Sequence, residues 1–191
     1  MKRPQDHLWL NLISCFLIPG YTLLFAGSVQ WFSSNFSVLA VTGADYYRGF
    51  VCWGLLTGSY FLVMLNRLAG ILPHPAVRLW VRLLTGLAML ALLCAITIPY
   101  LPSHSPRYAA LHVLLAALSC VLLMLDLLII LLSLYQADPL RWKIPLGRWL
   151  LITVISALLF CIPVMVSTAL EVFFVISVTL LVRDMWLRKV K

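Results

Sequence analysis

The sequence predicts an all-α fold, a polytopic membrane protein built as a six-helix transmembrane bundle with both termini cytoplasmic. Three observations carry that prediction. Of 191 residues, 63% are hydrophobic and only 10% charged, with a mean hydropathy of +1.04. A soluble domain averages about 25% charged residues, so this chain could not hide its apolar surface in one aqueous core. The apolar residues fall in runs near the ~20 residues that cross a bilayer, and the basic residues gather between alternate runs. The whole length is used by one transmembrane domain, residues 1–191.

The first span, 8–27, follows a short polar start with Lys2 and Arg3. It is long enough to be a retained span rather than a cleaved leader, and Pro19-Gly20 predicts a kink near its middle. A long segment, 28–48, comes next, with Trp31, Phe32, Phe36, Tyr46 and Tyr47 expected against the membrane or capping the bundle. Its Asn35-Phe36-Ser37 matches a glycosylation pattern that is frequent by chance. The second span, 49–68, contains Gly54-Leu55-Leu56-Thr57-Gly58, a small face expected to pack within the bundle.

Leu72-Pro73-His74-Pro75 breaks the chain before the third span, 79–100. A short turn holding Pro102, His104 and Pro106 leads to the fourth, 108–134. Residues 135–148 read as a basic loop. The final apolar run is too long for one span, and Pro163 with a capping box in Thr168-Ala169-Leu170-Glu171 divides it into spans 149–166 and 169–187. With the N-terminus inside, the fourteen Lys and Arg all fall on the cytoplasmic side except Arg48 and Arg107. That is the asymmetry the positive-inside rule describes.

The net charge of +8 and pI of about 9.6 are therefore explained by flanking residues, and no nucleic-acid partner is expected. Cys15, Cys52, Cys94, Cys120 and Cys161 fall in separate spans, so neither a metal site, a cofactor nor a disulfide is expected.

His112, Ser119, Asp126 and Ser133 recur every seventh residue along the fourth span, placing them on one side of a helix. A carboxylate within the hydrocarbon region costs about 2.5–3.5 kcal/mol on insertion scales, so Asp126 must face a partner or a cavity. Inner-half candidates are Asp126, Ser119 and Ser133, with serine or amide hydrogens on neighbours, or an inner-side arginine such as Arg82, as partners for the carboxylate. His112 lies ~21 Å from Asp126 along the axis. Its own neighbours should be Asp45, Arg48, His104, Arg107 and Glu171, a possible polar site at the outer face. No Gly-x-Ser-x-Gly or His-Glu-x-x-His occurs, and a catalytic reading would need His112 to meet at least two other polar groups around a pocket.

Trp31-Phe32-Ser33-Ser34-Asn35-Phe36-Ser37, and the segment from Pro99-Tyr100-Leu101-Pro102 to His112, resemble the DRAM and Sfk-like group of small six-span membrane proteins and their bacterial relatives. The resemblance implies a non-enzymatic membrane protein tied to lipid organisation. The expected function is thus a non-catalytic protein of the cell membrane that binds membrane lipid or another membrane protein. Alternatives are a small proton-linked transporter using Asp126 and, third, a lipid-modifying enzyme.

Overall fold

The computed structural model describes residues 4–190 apart from 28 and 164. Lys2, Arg3 and Lys191, which enter the charge count, lie outside the described residues. Among the described residues eight α-helices follow one another: α1 Pro4–Leu12, α2 Ile18–Ala26, α3 Phe36–Ala40, α4 Ala44–Ala69, α5 Pro75–Thr97, α6 Pro106–Ala137, α7 Pro139–Cys161 and α8 Thr168–Val190. No strand occurs among the described residues. Among the described residues five stretches are long and apolar enough to cross a bilayer: Leu8–Ala26, Ala44–Ala69, Pro75–Thr97, Pro106–Ala137 and Pro139–Cys161. At 23 residues α8 equals α5 in length, but Glu171, Arg183, Asp184, Arg188 and Lys189 make it more polar than those five.

The long helices form a closed ring in chain order. Each of α4, α5, α6, α7 and α8 packs on the next, and α8 closes the ring against α1 and α2 while also touching α4. α4 supplies much of the interior, including Trp53, Phe61, Met64, Leu65 and Leu68. α7 is peripheral. It buries only Trp142, Pro145 and Ile152, whereas Leu150, Leu151, Val154 and Leu158 are exposed, as suits a lipid-facing helix.

The α1 and α2 helices join through a π-helical turn, Ile13–Leu17. Pro19 has no N–H to return to Cys15 and its ring crowds that carbonyl, so the preceding turn widens, with the Ile18 N–H reaching Ile13. The expected irregularity is present, displaced one turn ahead of the proline. Residues 135–148 differ more from expectation: they are helical. Only Asp138 separates α6 from α7, and its side chain accepts the Arg141 N–H at 3.2 Å while Pro139 starts the new helix. Pro145, inside α7, leaves the Arg141 carbonyl without its helical donor, and the Arg188 guanidinium reaches that oxygen at 3.5 Å.

The Gly54–Gly58 face is turned toward α5. A Cβ on Gly54 would collide with the Ile96 side chain, and one on Gly58 would lie 3.1 Å from Leu92 Cδ2. Close approach of α4 and α5 therefore needs both glycines. Gly54→Leu should force the pair apart and cost about 1–3 kcal/mol. Gly86, where an added Cβ meets nothing within 4 Å, supplies the control. Unfolding by denaturing detergent in mild micelles should show the first loss, with Gly86→Ala within about 1 kcal/mol of the parent.

Two ends of the bundle are chemically distinct. At one, Asp184 bridges Arg148 at 2.9 Å and Arg188 at 3.0 Å, and Trp186 lies beneath Arg67 and Lys189. Arg183 donates to Asn11 at 2.7 Å, tying α8 to α1. This is the basic end. The other end holds α3 and the α5–α6 and α7–α8 connections.

Candidate functional site

At the α3 end, Asn35 starts α3 in an extended conformation and accepts the Val38 N–H at 2.9 Å. Its amide donates to the Val166 carbonyl at 3.1 Å, so the side chain is held at both ends. Phe36 is fully buried between α2 and α4, edge-on to Phe25 at 5.1 Å and to Trp53 at 4.9 Å. The Trp53 indole in turn donates to Thr22 at 2.9 Å. Of the aromatic residues in this segment, Phe36 goes inward, while Trp31, Phe32, Tyr46 and Tyr47 stay exposed.

The plug fixes the next residue. Ser37 Oγ lies 2.7 Å from His112 Nε2. His112 Nδ1 lies 2.8 Å from both the Ala95 and the Ile98 carbonyl oxygens. The residues four positions on, Pro99 and Pro102, have no N–H to give these oxygens, and the Ala95 carbonyl accepts the Ile98 N–H at 3.2 Å besides the ring. Carbonyl oxygens only accept, so Nδ1 carries the hydrogen and donates. In the neutral ring, Nε2 then offers a lone pair toward the Ser37 hydroxyl. His112 is buried, and the Tyr100 ring packs against it at 5.8 Å.

Glu171 Oε2 accepts the Phe36 N–H at 2.7 Å. This corrects the capping-box reading of Thr168 to Glu171. The start of α8 is capped by Ser167 Oγ, which accepts the Leu170 N–H at 3.4 Å, and Thr168 donates instead to the Ser34 carbonyl at 3.0 Å. The carboxylate is thus spent on the loop that presents Ser37. Asn35, Ser37, Tyr100, His112 and Glu171 form polar walls around a cavity of about 50 Å³, room for a few water molecules. Val113 and Ala116 of α6 complete it on the apolar side, and Val113 is itself exposed.

Of the expected outer-face group, the fold brings together His112 and Glu171. Asp45 and Arg48 instead form an exposed pair at 3.4 Å on the first turns of α4. His104 contacts Ser103 at 3.0 Å in the exposed turn, and Arg107 is exposed at the start of α6. Sequence reasoning missed Asn35, Ser37 and Tyr100 as wall residues. Asn35 two residues before Ser37 carried a usable signal, since asparagine starts helices, and the paired prolines marked carbonyls needing a donor.

The seven-residue stripe does face the bundle: His112, Ser119 and Asp126 are buried and Ser133 half-buried. Asp126 is fully buried, and its Oδ2 accepts the Thr85 hydroxyl at 2.5 Å. Its Oδ1 meets no donor among the described residues. Arg82, one turn earlier on α5, is exposed and makes no ion pair with Asp126 among the described residues. No group of three metal-binding side chains occurs among the described residues. Comparison with protein-family models, curated proteins and solved structures finds no match for this chain.

Proposed function

We propose that the chain is an integral protein of the cell membrane that binds a membrane lipid at its α3 end, where the cavity takes one polar group of the lipid while the rest lies along the exposed flank of α6. In this reading α8 is a sixth span, the basic end faces the cytoplasm and the cavity belongs to the outer leaflet. Charge supports the orientation through the positive-inside rule. The observation that carries the binding reading is the meeting of Asn35, Ser37, His112 and Glu171 around a space bordered by the exposed flank of α6.

Depth agrees with a lipid. At 32 residues α6 is about 48 Å long and exceeds a ~30 Å hydrocarbon core by about 9 Å at each end if centred. His112 lies about 9 Å along the axis from Pro106, at the hydrocarbon boundary where glycerol esters sit. Polar walls there meet the carbonyl and headgroup atoms of a lipid, and Val113 and Ala116 its chains. The resemblance to the DRAM and Sfk-like group points the same way.

Native mass spectrometry from mild detergent tests this. The parent should retain one lipid per chain, and His112→Gln with Glu171→Gln should lower its occupancy at least tenfold, a loss of about 1.4 kcal/mol. Equal retention by parent and variant would sink the reading.

A further inference from the structure

We infer that Ser37 and His112 form a nucleophile–base pair that cleaves carboxylic esters, with an acyl-glycerolipid as the substrate class. The inference rests on the lipid-binding reading of the same cavity. Four observations carry it. Ser37 Oγ and His112 Nε2 stand 2.7 Å apart, within the reach proton transfer requires. The Ala95 and Ile98 carbonyls, each 2.8 Å from Nδ1, hold the ring in the tautomer whose Nε2 accepts a proton. They serve as positioning groups, the part a carboxylate plays in other serine–histidine arrangements. Ser37 is held rigidly by its neighbours, Asn35 bonding forward to Val38 and Phe36 locked by Phe25, Trp53 and Glu171. Finally, both reacting groups line a cavity bordered by Val113, whose exposed side chain marks an apolar flank along which an acyl chain can approach.

The chemistry balances without any further group. Ser37 Oγ adds to the acyl carbon as its proton passes to His112 Nε2. The bond from that carbon to the alcohol oxygen breaks, and the alcohol leaves with the proton from Nε2. Water then attacks the acyl-serine, giving its proton to Nε2. Collapse returns a proton to Ser37 Oγ and releases the carboxylic acid. A tie that merely joined α3 to α6 would have the same hydrogen bond but no reactivity, and this difference is measurable.

The full chain in mild-detergent micelles is treated with an alkyl fluorophosphonate and followed by intact mass and peptide mapping. One adduct per chain is expected on Ser37. It should be absent from Ser37→Ala, unchanged in Ser33→Ala, and formed at least about 100-fold more slowly in His112→Gln. Hydrolysis of p-nitrophenyl butyrate by the parent should fall to background in Ser37→Ala. No adduct on Ser37 of the parent, which needs no variant to fold, overturns the pair as catalytic. A rate unchanged in His112→Gln does the same. If the parent retains lipid by native mass spectrometry yet forms no adduct, the ester chemistry fails and lipid binding stands. If Ser37 is labelled but no lipid is retained, the lipid is overturned as the substrate.

Discussion

Phe36→Ala is expected to cost about 3–5 kcal/mol, the range for emptying a buried aromatic site. The side chain is fully buried, and its edge-on contacts with Phe25 and Trp53 link α3 to both α2 and α4. Each such ring pair adds about 0.5–1.5 kcal/mol beyond area. Trp53 cannot collapse into the gap without breaking its own tie, since its indole N–H is held by Thr22 at 2.9 Å. Phe36→Leu should recover more than half of the loss. Denaturing-detergent titration in micelles checks the stability, and a parent-like midpoint for Phe36→Ala would refute the plug. Because Ser37 follows Phe36 directly, lipid retention should also fall in Phe36→Ala even under conditions where the long helices remain folded.

The second large effect concerns Thr85 and Asp126, and its signature is non-additivity. Thr85→Val removes the hydroxyl that Asp126 Oδ2 accepts and leaves a fully buried carboxylate without its donor. That change should cost about 1–3 kcal/mol or more. Asp126→Leu alone strands the Thr85 hydroxyl and should also destabilise. The double variant, Thr85→Val with Asp126→Leu, removes both polar groups together and should be close to the parent or above it, giving a coupling energy of about 0.5–3 kcal/mol. Additive losses would show that the two residues do not act as a pair. Asp126→Asn, which preserves an acceptor for Thr85, should remain within about 1 kcal/mol of the parent. Unchanged proton flux or uptake in that variant removes the carrier alternative.

The contrast between the two sites explains what could be read from the chain by itself. Apolar runs and charge placement report on the bilayer, so the helices could be anticipated, along with the inward face of the His112–Ser133 stripe. The small face at Gly54 and Gly58 was also legible, because helical spacing alone puts both residues on one side. Partners distant in sequence were not. Ser37 and His112 are 75 positions apart, and no local pattern announces their meeting. Glu171 was assigned to its own helix start because that partner was nearby in sequence, whereas its donor, Phe36 N–H, is 135 positions away. The junction of α6 and α7 was hidden for the opposite reason. A single capping aspartate followed by proline needs no loop, and the surrounding basic residues looked like one.

The bonds between the Trp31–Phe36 segment and the start of α8 impose an order on biosynthesis. Ser34 and Trp31 carbonyls accept the Thr168 and Ala169 N–H groups at 2.7 and 2.8 Å, and Asn35 and Phe36 bond to Val166 and Glu171 across 131 and 135 positions. During translation the early segment therefore emerges long before its partners exist. The helices α4 to α7 can assemble while Phe36 still lacks the acceptor for its amide, and Ser37 gains its final setting only when α8 is in place. A fragment ending before α8 would keep the contacts among α4 to α7 but lack Glu171, the cavity wall that accepts the Phe36 N–H beside Ser37.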